Sequence, residues 1–205
     1  MSQLSKNGWY ALATHSPSTH FNARPENTDI SLVVLHFISL PEGEFGNGAV
    51  RSFFLQGIDL REYPELCDLK DLFVASHFFI ARDGAVEQFV GCADRAWHAG
   101  VSSFSGVENC NDYSIGIELE GTARDDFCEP QYEALAKLLR VLCERYPIRA
   151  VVGHCDVSPG RKIDPGEHFD WVKLQTLMVG REKLFCGAAA IQQQSVRNAR
   201  AGILV

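Results

Sequence analysis

A nine-residue apolar segment that contains one histidine constrains this chain most. It reads ISLVVLHFI from Ile30 to Ile38, and His36 is its one ionisable residue. β-Branched and aliphatic side chains dominate the segment, which is typical of a buried strand. Because a buried strand needs other elements to cover it, the pattern in the rest of the chain decides the fold class.

The hydrophobic pattern elsewhere predicts further strands and two helices. The predicted elements are a hairpin of 76–81 with 85–90, strands at 113–119 and 150–153, and helices at 130–145 and 169–178. Such a mixture gives an α/β fold, and we predict a single central mixed β-sheet flanked by helices. Residues 1–29 are polar and are expected to wrap the surface of the domain.

Composition limits the class of protein and its partners. Of the 205 residues, 46% are hydrophobic and 22% are charged, as in soluble globular proteins and unlike disordered or fibrous chains. The net charge of −7 argues against nucleic acid or an anionic membrane as a partner, since both require clustered positive charge. We expect one domain over 1–186, with its core at about 8–180, and a flexible C-terminal tail over 187–205.

Cysteine usage and targeting signals indicate the compartment. The seven cysteines are odd in number, scattered and never spaced as C-x-x-C, so they predict free thiols rather than disulfides or a cysteine-based zinc site. Residues 1–10 contain no apolar secretory segment, and the longest apolar run, 30–40, is far shorter than the ~20 residues of a membrane span. We therefore expect a cytoplasmic protein without an obligate protein partner.

Two histidines stand in predicted strands or at their ends in the manner of metal ligands. His36 lies in the apolar strand, and His154 opens the loop HCDVSPGRKIDPG. That loop also carries Lys162 and Asp164, and Pro165 biases the residue before it toward an extended backbone. Two imidazoles and one carboxylate are a common ligand set for catalytic zinc, with the fourth position left for water. The pattern favours a zinc site formed by His36, His154 and Asp164.

A hydrolytic zinc site also needs a proton carrier, and one predicted strand offers two. Glu118 and Glu120 share the face opposite Ile115 and Ile117 in the alternation of the strand at 113–119. The alternation does not choose between the two carboxylates.

Five stretches of sequence, in order, carry a family resemblance. They read VVLHFISLPEGEFG, SHFFIARDGAVEQFV, RAWHAGVSSFSG, CNDYSIGIELEGT and GHCDVSPGRKIDPGEHFDW. Together they resemble the AmpD-type N-acetylmuramoyl-L-alanine amidases, which share a larger family with bacteriophage amidases and peptidoglycan recognition proteins. The resemblance covers residues 8–171 and implies the fold of that family for most of the chain.

The resemblance implies a role for each matching residue. It assigns His36, His154 and Asp164 to one zinc ion per chain. It gives Glu118 the proton transfer and Lys162 the oxyanion of the tetrahedral intermediate. Four more residues lie in segments expected to bind substrate: Trp97, His98, Asn111 and Arg161. The implied substrate is a muropeptide, 1,6-anhydro-N-acetylmuramoyl-peptide, cut at the lactyl–L-alanine amide during cell-wall recycling.

Two positions depart from the family pattern. The residue after the first zinc histidine is usually Asn and is Phe37 here, and the residue four before His77 is often Arg and is Phe73 here. The first change bears on the support of the metal ligands, and the second on the grip on anionic groups of the substrate. Neither removes a ligand or the proton carrier.

Two other functions compete with the zinc amidase. A metal-independent glycosidase would use Glu118 and Glu120 as its carboxylate pair, since residues two apart on a strand lie roughly 6–7 Å apart. That interpretation leaves both histidines and Asp164 unexplained. A receptor for cell-wall fragments on the same fold would bind without cutting, but such receptors commonly lose a zinc ligand.

The remaining candidates are assigned structural places. His15, His20 and His168 have loop-like surroundings and are predicted to lie on the surface. His77 is expected to be a core histidine or to support a ligand, and Cys155 is expected to pack.

Overall fold

The computed structural model of the chain describes residues 3–188 and 190–193. Its strands are β1 (Thr14–His15), β2 (Phe21–Ala23), β3 (Leu32–Ile38), β4 (Phe78–Ile80), β5 (Val86–Gln88), β6 (Asp94–Ala96), β7 (Ser103–Phe104), β8 (Val107–Glu108), β9 (Ser114–Glu120) and β10 (Ala150–Gly153). Its α-helices are α1 (Ala49–Gln56), α2 (Glu129–Arg145), α3 (His154–Val157) and α4 (Trp171–Leu177), with short 3₁₀ turns at Pro64–Leu69, Cys110–Asp112 and Glu182–Leu184.

A six-stranded mixed sheet in the order β1-β5-β4-β9-β3-β10 forms the centre of the fold. The four strands from β4 to β10 in that order are mutually parallel, whereas β5 runs antiparallel to β4. Two small antiparallel sheets, β2 with β6 and β7 with β8, lie outside it. The predicted fold class, a central mixed sheet flanked by helices, is confirmed.

The residues of β3 alternate between two buried faces of the sheet. Val33 and Leu35 pack into the main core, which α2 covers, whereas Leu32 and Val34 pack into a smaller core on the opposite face. His36 follows the second pair in the alternation and therefore points to the smaller-core face. This strand is covered on both sides, as its continuous apolar sequence indicates.

The helix α2 anchors the larger face of the sheet. Its apolar stripe includes Leu135, Leu139 and Leu142, all fully buried, and burying each such side chain is worth roughly 1.5–3 kcal/mol. At its N-terminus, Gln131 Oε1 accepts the Cys128 N–H at 3.0 Å, so a backbone donor that the first helical turn leaves free is satisfied.

Most predicted elements match the structure closely. The hairpin is β4 with β5, and the other predicted strands and helices are β3, β9, β10, α2 and α4, with ends that differ from the prediction by at most two residues. The sequence pattern did not predict α1, which follows a glycine-rich segment and has no side-chain cap. Residues 3–29 run along the surface, but β1 joins the edge of the central sheet.

The described part of the tail begins helically. The Ile191 N–H donates to Gly187 O at 3.1 Å, Ala190 is fully buried, and Gln193 Oε1 accepts the Trp171 N–H at 2.9 Å. Residue 189 and residues 194–205 of the predicted tail lie outside the described residues. In the part of the chain that is described, no helix is both long and apolar enough to cross a membrane.

Candidate metal and catalytic site

Three parallel strands bring the predicted ligands to one end of the sheet. His36 on β3 pairs with Glu118 on β9, and Leu35 pairs with Gly153 at the end of β10. His154 therefore begins α3 beside His36. The loop after α3 returns to this point because the Cys155 N–H donates to Asp164 O at 2.9 Å. The carboxyl ends of neighbouring parallel strands are where ligands bind in open α/β sheets.

The three predicted ligand atoms converge. His36 Nδ1 and His154 Nδ1 are 2.9 Å apart, and Asp164 Oδ2 lies 3.0 Å from the first and 2.9 Å from the second. All three residues are buried, and together they form a group whose ligand atoms could hold a metal ion. Asp156 is not part of this group, because its Oδ2 accepts the Gly153 N–H at 2.8 Å and so caps α3.

The hydrogen bonds of His154 test whether a cation fits here. Its Nε2 faces the carbonyl oxygen of Ala99 at 3.0 Å, so Nε2 carries a proton and Nδ1 of the neutral ring carries a lone pair. That lone pair points at Asp164 Oδ2, itself an acceptor, and at His36 Nδ1. Three acceptor atoms within hydrogen-bond distance repel one another unless a cation lies between them, so the donor set fits a metal ion.

The surroundings of His36 and Asp164 shift their pKa values toward the ionisation states that metal binding requires. Burial lowers the pKa of His36 to about 4, which favours the neutral ring that a metal needs. Burial acts to raise the pKa of Asp164, but the neighbouring rings of His154 and His36 outweigh it and hold that pKa well below its usual value. Asp164 is therefore an anion, and the ring of His36 beside it is neutral.

Glu118 differs from every other carboxylate near the site. Burial, followed by the negative charge of Asp164, raises its pKa well above the usual value, while the positive charge of Lys162 opposes this rise. Its Oε2 is buried and has no hydrogen-bond partner in the described part of the chain. A buried carboxyl oxygen left without a partner is costly and marks a position from which a proton can be exchanged with a bound molecule.

Both carboxylate oxygens of Glu120, the second candidate from the alternation, accept hydrogen bonds from the protein backbone. Its Oε1 accepts the Gly46 N–H at 2.6 Å, and its Oε2 accepts the Arg82 N–H at 3.1 Å. It ties two loops to the end of β9. The structure thus distinguishes the two glutamates: Glu118 lines the cavity beside the ligand group, and Glu120 does not.

Two adjoining cavities lie in this region, and the first of them opens at the ligand group. The first, of about 670 Å³, is lined by the three ligand residues, Glu118 and Lys162. The second, of about 820 Å³, is lined by Arg95 and Arg161. They share four lining residues: Trp97, Gly100, Asn111 and Arg161. Three of the residues predicted to bind substrate thus lie on the boundary between the cavities, and His98 lines the first.

Each of these four residues also bonds within the protein. Trp97 Nε1 donates to Asn22 Oδ1 at 2.9 Å, and Arg161 Nη2 donates to the carbonyl oxygens of Ala99 and Val101. His98 and Asn111 are bonded more completely, through side-chain atoms that face the backbone and His36. Sequence reasoning did not identify Arg95 or Gly116, which the structure places in a cavity wall and beneath the His98 ring.

The two departures from the family pattern line or border the first cavity. Phe37 and the apolar side chain of Leu72 contribute to its wall. Phe73 is 55% exposed and packs edge-on against His20, with ring centroids 5.5 Å apart. The segment that carries Phe73 therefore presents apolar surface where the family pattern often has a cation.

The structure corrects one of the surface predictions. His20 is buried, because its Nδ1 bonds to Val74 O at 3.0 Å across the covering loop. His15 is exposed, and His168 is partly exposed and bonds to Asp126. His77 is a core histidine: its Nδ1 accepts the Gly116 N–H at 3.0 Å. Cys155 lies outside the ligand group.

Comparisons with known proteins agree with this geometry. The sequence profile of the N-acetylmuramoyl-L-alanine amidases matches residues 26–167. The 1,6-anhydro-N-acetylmuramyl-L-alanine amidase AmpD of Haemophilus influenzae is 48% identical over 157 residues, which cover 75% of this chain and 85% of that protein.

Solved structures extend the likeness to three dimensions. The crystal structure of a selenomethionine AmpD derivative superimposes with a TM-score of 0.82 at 45% identity, covering 85% of this chain and 98% of that one. Escherichia coli AmiD, in complex with anhydro-N-acetylmuramic acid-L-Ala-D-γ-Glu-L-Lys, matches with a TM-score of 0.55 at 28% identity, over 75% of this chain and 60% of AmiD. The chain belongs to the N-acetylmuramoyl-L-alanine amidase family of enzymes.

Proposed function

We propose that this enzyme hydrolyses the amide between the lactyl group of 1,6-anhydro-N-acetylmuramic acid and the L-alanine of muropeptides, with zinc as its metal, in cell-wall recycling. One observation carries the mechanism: two imidazole nitrogens and a carboxylate oxygen converge within 3.0 Å beside a glutamate oxygen that has no partner in the described part of the chain. The relative AmpD is a 1,6-anhydro-N-acetylmuramyl-L-alanine amidase, which supports this substrate, and the molecule bound to AmiD is of the same chemical class.

His36, His154 and Asp164 would hold the zinc ion. When bound there, zinc would supply a Lewis acid for the substrate carbonyl and would lower the pKa of water so that it becomes a nucleophile near neutral pH. Together with a divalent cation, two imidazoles and one carboxylate would give the site a net positive charge, which suits an electron-rich carbonyl oxygen.

Glu118 moves the proton. Its raised pKa allows Oε2 to accept a proton from the attacking water and to deliver it to the departing amide nitrogen. The second step is needed because an unprotonated amide nitrogen is a very poor leaving group. The C–N bond breaks as that nitrogen is protonated, and the products are a lactyl carboxylate and the free amine of L-alanine.

Lys162 stabilises the charge that develops on the carbonyl oxygen. It lines the same cavity, and its positive charge already acts on the pKa values of Glu118 and His36. An ammonium group in this place favours the tetrahedral oxyanion more than the neutral ground-state amide. Its contribution is therefore to turnover more than to binding.

The two cavities suit the two ends of the substrate. The first has apolar walls from the segment around Leu72 and from Phe37, which suit the uncharged anhydro-sugar. The second has Arg95 and Arg161, which suit the carboxylates of the stem peptide. The amide between the two ends then lies near the ligand group, where the cavities meet.

Mass spectrometry of an anhydromuropeptide tests the function directly. The zinc-loaded enzyme is expected to release the free peptide and anhydro-N-acetylmuramic acid, and the chelated enzyme is expected to release neither. Binding without cleavage by zinc-loaded protein would establish the receptor function instead. If the chelated enzyme still cleaved a glycosidic bond, the metal-independent glycosidase function would be established instead.

The unpaired cysteines support a further part of the proposal, that the protein works in a reducing compartment. All seven cysteines are unpaired in the structure, and Cys67 and Cys186 are exposed. Exposed unpaired thiols persist in a reducing cytoplasm. Titration of denatured, freshly purified protein should find seven thiols, whereas one thiol and three disulfides would overturn the cytoplasmic assignment.

A further inference from the structure

One short segment contacts both histidines of the ligand group through the ring nitrogen that faces away from that group. His36 Nε2 faces His98 Nδ1 at 3.0 Å, and His154 Nε2 faces the carbonyl oxygen of Ala99, also at 3.0 Å. Two consecutive residues thus supply the outward partners of two imidazoles, one from strand β3 and one from the start of helix α3. A metal-binding histidine nearly always donates its second ring N–H to such a partner, which fixes the orientation of the ring.

The protons along this chain of contacts can be placed. His36 presents Nδ1 to the ligand group, so its proton lies on Nε2 and is donated to His98 Nδ1. His98 then carries its own proton on Nε2, which faces Ser114 Oγ at 3.1 Å. Both nitrogens of His98 are engaged within the protein, so no ring nitrogen is left to bond a substrate.

Gly116 leaves the space in which His98 lies. A Cβ atom at Gly116 would be 2.4 Å from His98 Cγ and 2.6 Å from its Nδ1, far inside contact distance. Gly116 is the glycine of the SIGIELE strand, and it stands on the same face as Glu118. A glycine within a central strand often marks such a close approach by another group.

Asn111 holds the backbone of the segment. Its Oδ1 accepts the N–H groups of His98, at 3.2 Å, and of Ala99, at 2.9 Å. The carbonyl oxygen of Asn111 accepts in turn from Arg24 Nη1 at 3.0 Å. Asn111 is buried, so its position is fixed from both sides.

We propose that the His98–Ala99 segment, held by Asn111, orients both metal-binding imidazoles, and that His98 and Asn111 are positioning residues rather than substrate contacts. The proposal rests on the proposed zinc site. It extends that function by naming the groups that fix which ring nitrogen of each histidine faces the metal.

A matched pair of variants at His98 tests this. In His98→Asn, the amide oxygen can lie near the place of Nδ1 and can still accept from His36. In His98→Gln, the longer amide reaches toward Ser114 and leaves His36 Nε2 without an acceptor. Loss of such a supporting partner typically costs ~10–100-fold in metal affinity. We expect zinc affinity, measured by competition with a chromogenic chelator, to fall by about that factor in His98→Gln and by only a few-fold in His98→Asn.

Kinetics at saturating zinc separate the two roles of His98. A positioning residue leaves KM for the muropeptide nearly unchanged, whereas a substrate contact raises KM in both variants and leaves zinc affinity at the wild-type level. The second pattern would overturn the proposal. If His98→Gln does not fold, as judged by far-ultraviolet circular dichroism, Asn111→Asp and Asn111→Leu replace the pair, since only the first retains an acceptor for the two N–H groups.

The zinc content of the wild-type protein is measured in the same experiment. Wild-type protein that binds no zinc would contradict the proposed function itself. Wild-type protein that binds zinc, with variants of unchanged affinity, would contradict only the role of the His98–Ala99 segment.

Discussion

Glu118 lies directly opposite His36 in the parallel pairing of β3 with β9, and its Oε1 is 4.0 Å from His36 Nδ1. The strand register alone therefore brings Glu118, the proposed proton carrier, to the ligand group. Glu118 cannot be moved along the sheet without moving all of β9, whose seven residues are buried. That distance is too long for a hydrogen bond. Glu118 Oε2 has no hydrogen-bond partner in the described part of the chain.

Replacing Glu118 should separate proton transfer from metal binding. Glu118→Gln keeps the shape of the side chain but cannot accept a proton, so turnover should fall by ~10²–10⁴ while zinc content stays at the wild-type level. Steady-state kinetics and elemental analysis of the same sample measure both quantities. A variant that also lost its zinc would show that Glu118 supports the metal instead.

Glu120→Gln is the matched control, and we expect its effect on stability rather than on activity. Each Glu120 oxygen accepts one backbone N–H, and a glutamine amide keeps only one acceptor. One N–H would be left unsatisfied, at a cost of about 1–3 kcal/mol in the free energy of unfolding. Activity should remain within a few-fold of wild type. Loss of turnover in Glu120→Gln with activity kept in Glu118→Gln would reverse the assignment.

Lys162→Ala should lower kcat more than it raises KM. An ammonium group is not a zinc ligand, so the metal should remain bound in this variant. The oxyanion exists only near the transition state, and removal of a group that stabilises it costs ~2.7–4 kcal/mol, or about 10²–10³ in kcat. An increase in KM at constant kcat would assign Lys162 to substrate binding.

Removal of any one ligand should abolish stoichiometric zinc binding. A catalytic site with three protein ligands has none to spare, so His36→Ala, His154→Ala and Asp164→Ala are each expected to lose the metal. Elemental analysis after dialysis measures the content per chain, with wild type at about one. A variant that retained full zinc content would exclude the substituted residue from the ligand set.

The sequence predicted the ligands and the central sheet for the same reason. A histidine in a long apolar strand and a histidine directly after another strand are local features, and parallel strands bring their carboxyl ends together. The choice between Glu118 and Glu120 was not local. It depends on Gly46 and Arg82, whose N–H groups reach Glu120 from two loops far along the chain.

The roles of His98 and His20 depend on long-range contacts in the same way. His98 lies in a segment that resembles a substrate-binding motif, but its ring bonds to a histidine 62 residues earlier. His20 has the polar neighbours of a surface residue, and its burial comes from Val74 in a loop that folds over it. Neither partner is visible from the residues adjacent in sequence.

His77 gives a pH dependence that is independent of catalysis. Burial, followed by the charge of Arg24, holds the pKa of His77 well below its usual 6.5, so the ring stays neutral in the folded protein. The unfolded chain takes up a proton on this residue as the pH falls through about 6.5. The contribution of neutral, buried His77 to the free energy of unfolding is therefore fully present above pH ~6.5. It is lost progressively as the pH falls below that value, with a slope that approaches ~1.4 kcal/mol per pH unit.

Comparison of wild type with His77→Asn isolates this effect. The asparagine oxygen can still accept the Gly116 N–H, but the side chain does not titrate in this range. Urea unfolding between pH 7.5 and 5 should therefore show that the free energy of unfolding falls less steeply with decreasing pH in the variant than in wild type. The difference in slope corresponds to about one fewer proton taken up on unfolding. A chelator is present in both samples, because metal binding is itself pH-dependent and would otherwise mask the difference. The buried rings of His36 and His98 titrate equally in both proteins and cancel in the comparison. Equal slopes would mean that His77 titrates alike in the folded and the unfolded chain, in contradiction to its complete burial.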